Sequence, residues 1–235
     1  MLRYLISGAG DFTSYLIQLL LCLPIILFSL SLHETAHGFV AYKCGDPTAH
    51  DQGRLTLNPL KHLDPVGFLC MLLAGFGWAK PVPILTRNLR KPRRDIALVS
   101  LAGPMSNLLL SFLFSIVFRF TYQPLFRGIF GAPNEAVANL FYYLLIFIFL
   151  GIQLNVSLAV FNLLPIPPLD GSKILYMLLP PKVYYKIAPY ERYISLVFML
   201  LLVGGVLSPL LITGSRLIIK GMFWLLKIPD IFGIF

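Results

Sequence analysis

The fold class is decided by residues 12–37, which read FTSYLIQLLLCLPIILFSLSLHETAH. Residues 12–33 contain no Asp, Glu, Lys or Arg. A helix needs about 20 such residues to cross the hydrocarbon core of a bilayer. The run ends in His33-Glu34-Thr35-Ala36-His37, and the helix is expected to continue to about Tyr42. This stretch therefore predicts a transmembrane helix that carries three ionisable side chains at one end, where such residues usually serve a function.

The composition of the whole chain agrees with a membrane protein. Of its 235 residues, 57% are hydrophobic and 12% are charged, whereas soluble domains carry about 25% charged residues. Such a chain has too little polar surface to cover a soluble globule and too much apolar surface to stay disordered. The formal net charge of +9 fits basic cytoplasmic loops better than a nucleic-acid partner. We therefore expect an all-α polytopic membrane protein whose surroundings are the lipid bilayer.

Three further runs are long enough to cross a membrane, at residues 96–118, 136–169 and 193–215. Residues 65–79 are also uncharged but short for a span, so we expect a re-entrant or short buried segment there. The tail, residues 216–235, spaces basic residues along an apolar background, which is typical of a helix at the interface, although a further crossing stays open. These patterns predict four to six transmembrane helices in one membrane domain, residues 1–235, with its core at 12–215.

The distribution of positive charge predicts the orientation. If residues 65–79 do not cross, two loops lie on one side of the membrane: residues 43–95 and the loop between the third and fourth runs. Together they hold 13 of the 19 Lys and Arg residues. Cytoplasmic loops collect Lys and Arg, so this bias places both loops in the cytoplasm and the N-terminus outside. The expected location is the cell membrane.

The His-Glu-x-x-His motif predicts a zinc site. Residues i and i+4 share one face of a helix, so the imidazoles of His33 and His37 can reach one ion. Neutral imidazoles bind Zn²⁺ without cancelling its charge. The neighbouring Glu34 carboxylate can take a proton from water and pass it to a leaving amine. We expect one zinc ion per chain.

A catalytic zinc ion usually has three protein ligands, and the motif supplies two of them. Asp170 follows the proline-rich end of the third run, and the predicted topology puts it on the same face as the two histidines. Its alternative role is that of a helix N-cap. Glu135 is expected on the other side, and Glu191 lies in a basic segment with an exposed composition.

Other functions use similar residues. A membrane zinc protease of the prenyl-protein protease type would need Glu135 or Glu191 and not Asp170. A metal transporter would use the histidine pair as a transit site. An inactive scaffold is disfavoured because the His-Glu-His trio is intact.

The motif His33-Glu34-Thr-Ala-His37, together with Asn162-Leu-Leu-Pro-Ile-Pro-Pro-Leu-Asp170-Gly171, resembles the site-2 protease family of intramembrane zinc metalloproteases. The resemblance covers roughly residues 12–215 and suggests a short prokaryotic member without PDZ or CBS domains. It implies that His33, His37 and Asp170 bind zinc and that Glu34 is the general base and acid. It also implies that Asn162 helps to hold the substrate or the developing oxyanion, and that the substrate is a transmembrane protein. The resemblance extends to Gly103 and Asn107, which we interpret as helix packing around the site; the oligomeric state stays open.

Two segments in the polar loop after the motif have extended patterns, at residues 54–57 and 81–85. They suggest a small β-hairpin whose free edge pairs with an unwound substrate, or else an ordinary loop hairpin. His50 and His62 lie in the same polar loop, where we expect surface histidines without a function.

Overall fold

The computed structural model describes residues 12–74 and 77–229, and its regular structure within these ranges is helical. The expectation of an all-α polytopic membrane protein is therefore confirmed. Two short 3₁₀ turns, Thr86–Asn88 and Ala188–Tyr190, interrupt the loops. The α-helices are α1 (Phe12–Lys43), α2 (Thr48–Asp51), α3 (Pro59–His62), α4 (Pro65–Ala74), α5 (Pro92–Gly131), α6 (Glu135–Asn162), α7 (Asp170–Leu178), α8 (Pro181–Ile187), α9 (Glu191–Val203) and α10 (Ser208–Leu225).

Three of the described helices are long and apolar enough to cross a membrane: α1 from Leu16 onward, α5 and α6. A bent pair, Lys182–Val203 and Ser208–Leu225, gives a fourth candidate if its two parts form one span. The first three predicted runs thus coincide with helices, while the number of crossings between four and six stays a prediction. The third run ends as expected, since helix α6 stops at Asn162 and the proline-rich segment after it is irregular.

The fourth predicted run is not one straight helix. It breaks between Val203 and Ser208, where the chain bends by 81°. Gly205 sits in this break with φ +74°, a backbone conformation that glycine adopts without steric cost. The second arm, α10, continues through residue 215 to Leu225, so residue 216 lies inside a helix.

The chain divides into two compact units, one ending at Gly103 and the other starting at Pro104. In the first unit, α1 contacts the short helices α2 and α3. In the second unit, α10 packs on α6, and the buried core there includes Phe118, Ile152 and Phe223. That the chain forms one membrane domain, with residues 216–235 as a separate tail, stays a prediction.

The uncharged segment 65–79 begins as helix α4, which has 10 residues. A helix of that length spans about 15 Å, which is half of the hydrocarbon core. The chain then returns to its starting point, because the Lys80 N–H donates to the His62 carbonyl at 2.8 Å and Leu63 pairs with Ala79 in an isolated bridge. This return agrees with the predicted re-entrant segment.

The predicted β-hairpin is not confirmed. Within the described residues, neither 54–57 nor 81–85 forms a strand. The two segments are instead joined through a side chain, because the Arg54 guanidinium donates to the carbonyls of Lys80 and Pro81. Pro81 and Pro83 lack the backbone N–H groups that a β-ladder needs, which explains why no ladder forms.

Candidate metal centre

The two histidines of the motif lie one helical turn apart on the same face of α1. Their Nε2 atoms are 3.0 Å apart, and the rings meet edge to face with centroids 4.6 Å apart. Both side chains are buried, with exposed fractions of 5% for His33 and 7% for His37. The helix thus brings two ligand nitrogens together, as metal binding by both residues requires.

The second ring nitrogen of His37 sets the tautomer of this side chain. Its Nδ1 lies 2.7 Å from the carbonyl oxygen of Val99 on helix α5. A carbonyl only accepts, so Nδ1 must carry the hydrogen, and neutral His37 then has its lone pair on Nε2. Metal-binding histidines commonly donate their other N–H to a carbonyl in this way, which fixes the ring orientation. The observed contact fits a zinc ligand.

Gly103 provides the space for the two imidazoles. A Cβ atom at this position would lie 2.4 Å from Nε2 of His37 and 2.6 Å from Nε2 of His33. Only glycine therefore fits against the two ligand nitrogens. Gly103, predicted to pack near the site, lies directly against the two imidazoles. Its missing side chain leaves a cradle beside the ligand nitrogens, as a bound ion requires.

The Glu34 carboxylate is oriented by the backbone of the loop before α5. Its Oε2 accepts a hydrogen bond of 2.8 Å from the Val82 N–H. In the part of the chain that the structure describes, its other oxygen has no hydrogen-bond partner. One carboxylate oxygen is thus anchored, and the other is available to accept a proton.

Sequence reasoning missed Val82. The signal was present in Pro81-Val82-Pro83, because a single N–H between two prolines is a donor without local competitors. What the sequence did not reveal is that this donor meets a side chain 48 positions earlier.

The Thr56 carbonyl lies beside the motif and accepts two hydrogen bonds. One comes from Thr35 Oγ1 at 2.7 Å, and the other comes from His62 Nε2 at 2.8 Å. His62 is therefore buried, with 2% exposure, and the expectation of a surface histidine was wrong for it. His50 is exposed as expected, and its Nδ1 lies 3.0 Å from Asp51 Oδ1. Thr35 and His62 together fix the peptide group that follows Thr56.

Asp170 is the first residue of helix α7 in the second unit, and its side chain is buried, with 7% exposure. The N-cap position belongs to Leu169, so Asp170 does not have the capping role considered as its alternative. Its Oδ1 lies 3.4 Å from Nζ of Lys173. At the next position, a Cβ on Gly171 would lie 2.3 Å from the Leu163 carbonyl oxygen. Glycine therefore lets the first turn of α7 pack closely against the chain that leads into it.

His33, His37 and Asp170 are all buried, and each offers one ligand atom of a kind that zinc binds. The carboxylates considered as alternatives differ in this respect. Glu135 is exposed in the first turn of α6, and Glu191 is half-buried in the first turn of α9. Among these three carboxylates, Asp170 is the buried one.

The two asparagines singled out from the sequence have different partners. Nδ2 of Asn162 donates to the Leu158 carbonyl of its own helix at 2.9 Å, and its side chain is half-buried. Asn107 is fully buried and donates to Oδ1 of Asn155 at 3.2 Å, across from α5 to α6. The interpretation of Asn107 as a helix-packing residue agrees with this bond, while Asn155 was not identified from the sequence.

The sequence is similar to known proteins over most of its length. The family model described as "Peptidase family M50" matches residues 21–204. A protein of Bacillus subtilis (strain 168), YwhC, is 46% identical over 201 residues, which cover 83% of this chain and 87% of the relative. A protein of Mycolicibacterium smegmatis, Rip2, is 34% identical over 200 residues, covering 83% of this chain and 71% of the relative. Both names begin with "Putative zinc metalloprotease". No solved structure matches the chain.

Proposed function

Because the chain belongs to peptidase family M50 and is a membrane-embedded zinc metalloprotease, we propose that it is an intramembrane endopeptidase. It hydrolyses peptide bonds in or near the transmembrane segments of membrane-protein substrates. The observation that carries this proposal is the burial of both histidines of the His-Glu-x-x-His motif on a helix that is long and apolar enough to span the bilayer. A metal transporter does not follow from membership of a peptidase family.

The zinc ligands in this proposal are His33, His37 and Asp170. The fit of the histidine pair rests on the 3.0 Å separation of the two Nε2 atoms, the Val99 carbonyl and the cradle at Gly103. Asp170 adds a buried carboxylate, and a set of two imidazoles with one carboxylate is a known catalytic zinc set. When bound, zinc acts as a Lewis acid that polarises the scissile carbonyl and makes water more acidic.

Glu34 is the general base and acid. Its oxygen without a partner takes a proton from the attacking water and then delivers that proton to the leaving amine. The Val82 N–H holds the other oxygen throughout, so the carboxylate does not rotate between the two transfers. Asn162 has a second amide hydrogen beside the one bonded to Leu158, and this hydrogen holds the substrate carbonyl or the developing oxyanion.

The substrate must unwind locally, because a peptide bond inside a helix is shielded from attack. We expect the unwound segment to pair with residues 55–57. The Thr56 carbonyl is occupied by hydrogen bonds from Thr35 and His62, so the groups left for a substrate are those of its neighbours. In the described chain, the N–H groups of Leu55 and Leu57 have no hydrogen-bond partner, so they are available to a substrate strand.

The proposed location is the cell membrane, with the catalytic residues near the cytoplasmic side and the N-terminus outside. The return of the chain at Leu63 and Ala79 supports this orientation, since the two basic loops then share one side. Labelling of single cysteines at positions 87 and 182 in right-side-out and inverted vesicles tests it. Labelling of both positions from the cytoplasmic side is expected, and labelling from opposite sides contradicts the orientation.

The decisive experiment combines zinc content with cleavage of a model single-span substrate by purified wild type, Glu34→Gln and Asp170→Ala. Wild type should hold one zinc ion and cleave. Glu34→Gln should hold zinc without cleaving, and Asp170→Ala should lose both zinc and activity. Alanine at Glu135 or Glu191 should preserve both. Full zinc content and cleavage by Asp170→Ala would overturn the assignment of ligands.

A further inference from the structure

Arg54 is a buried cation in the first unit, with 7% of its surface exposed. One terminal nitrogen of its guanidinium donates to the Lys80 carbonyl at 2.8 Å and to the Pro81 carbonyl at 3.3 Å. Within the described residues its Nε has no hydrogen-bond partner and no carboxylate pairs with it. A buried guanidinium without a counter-ion is costly, so the role of Arg54 depends on what these two bonds hold.

The Pro81 carbonyl and the Val82 N–H belong to one planar peptide group. This peptide bond is trans, so its oxygen and hydrogen point in opposite directions. Arg54 binds the oxygen end, and the Glu34 carboxylate binds the hydrogen end. A single peptide group therefore connects a buried cation to the carboxylate that follows the first histidine of the motif.

This peptide group has little freedom. Pro81 and Pro83 have fixed φ values and no N–H, and the Val82 side chain is buried with 6% exposure. A cation at the carbonyl oxygen polarises a peptide and strengthens the hydrogen bond that its N–H donates. Removal of Arg54 would therefore leave the Val82 N–H both less well placed and a weaker donor.

We propose that Arg54 is a positioning residue for Glu34 and acts through the Pro81–Val82 peptide. The proposal rests on the proposed function of Glu34 as general base, and it identifies Arg54 as the residue that keeps the Glu34 carboxylate in position. Arg54 touches neither substrate nor metal. Its loss should reduce the rate of the chemical step without changing zinc binding.

The test is a double-mutant cycle on the full-length protein, with Arg54→Met and Val82→Pro as the two changes. The first removes the cation, and the second removes the N–H. Each single variant should lower kcat by about 10- to 100-fold, as a small misplacement of a catalytic group does. KM for the model single-span substrate and the zinc content should stay within about twofold of wild type. The double variant should be no slower than Val82→Pro alone, because both changes break one connection.

A control variant separates positioning from folding. Arg54→Lys keeps a cation and should recover part of the loss in kcat, whereas a purely structural role of Arg54 would show as lost zinc or a lowered Tm in Arg54→Met. If Val82→Pro loses zinc or aggregates, the α-hydroxy analogue of valine at position 82 removes the N–H without adding a ring, and replaces Val82→Pro in the cycle. The proposal is overturned if the double variant loses kcat by the product of the two single losses. It is also overturned if Arg54→Met changes only KM or loses zinc.

The outcomes for Arg54 and for the proposed function are distinguishable. If Glu34→Gln holds zinc but does not cleave, while Arg54→Met cleaves at the wild-type rate, the positioning role fails alone. If Glu34→Gln cleaves normally, the assignment of the general base fails, and the role of Arg54 fails with it.

Discussion

Gly103 lies so close to His37 that a Cβ atom on it would be 2.4 Å from Nε2 of that imidazole. The same atom would be 2.6 Å from Nε2 of His33. Neither ring can easily move away, because both are buried on α1 and His37 is also bound to the Val99 carbonyl. The missing side chain at position 103 is therefore a requirement of the pair of ligand nitrogens.

The first prediction follows from this contact. Gly103→Ala should lower zinc affinity by about 10- to 100-fold, as changes next to metal ligands commonly do, and cleavage should fall in parallel. Competition with a calibrated chelator measures the affinity. Gly221→Ala is the matched control, since a Cβ at this helical glycine meets nothing within 4 Å. Unchanged zinc affinity in Gly103→Ala would show that the rings adjust and that the cradle is not required.

The second prediction concerns removal of the metal. Treatment with 1,10-phenanthroline should abolish cleavage, and added zinc should restore it. Bound zinc also stabilises the folded protein, by about 2.7 kcal/mol when free zinc is 100 times its Kd, so Tm should fall on chelation. Glu34→Gln should show the same fall in Tm, because Glu34 is not a proposed ligand. If the Tm of Glu34→Gln does not change when the chelator is added, Glu34 is itself needed to bind zinc.

The third prediction concerns Asp46, a fully buried carboxylate after the end of α1. Burial acts to raise the pKa of Asp46, but hydrogen bonds from Thr48, Asn88 and the Leu85 N–H outweigh it, so the pKa lies below its usual value. A carboxylate with a lowered pKa stabilises the fold above its unfolded pKa, which is about 3.9 for Asp. That contribution is lost as pH falls through the lower, folded pKa.

Asp46→Asn should therefore destabilise the protein by about 1–3 kcal/mol at pH 7, because buried donors lose their charged acceptor. The difference from wild type should shrink below about pH 4, where the unfolded carboxyl also becomes protonated. Unfolding in mild detergent at several pH values measures both effects. Asp51→Asn is the control, since its side chain is 65% exposed and should change little. A difference that is constant from pH 7 to pH 3 would contradict the linkage.

The local parts of the site could be predicted from the sequence, because they depend on spacing within one element. The i and i+4 relation of His33 and His37 needs only a helix, and the apolar run before them is a strong signal for one. The return of the chain after α4 followed in the same way from a run too short to cross. These features depend on neighbours in the sequence and on the thickness of the bilayer.

What could not be predicted depends on contacts between distant segments. His62 is buried with its ring bonded to the Thr56 carbonyl. The composition of the loop does not predict this bond. The bend in the fourth run follows from Gly205, and the Gly-Gly pair in the sequence was a signal for it. The β-hairpin, weighed against an ordinary loop, is not confirmed for a related reason, since Arg54 joins the two segments by side-chain bonds to two carbonyls and no ladder is present there.

The last prediction tests whether substrate pairs with the segment after Arg54. Leu57 is 46% exposed, and its N–H has no partner in the described chain. Leu57→Pro therefore removes a donor that the folded enzyme does not use, and proline at this position also favours an extended residue before it. The zinc content and Tm should stay close to those of wild type.

If this N–H pairs with an unwound substrate, Leu57→Pro should raise KM by about tenfold, the equivalent of one lost hydrogen bond of about 1.4 kcal/mol. Leu57→Ala keeps the N–H, so its KM should change much less. The two variants differ in the backbone donor, and the comparison therefore separates edge pairing from apolar contact with the leucine side chain. Equal KM values for the two variants, with zinc retained in both, would exclude pairing at this edge and leave the segment as an ordinary loop.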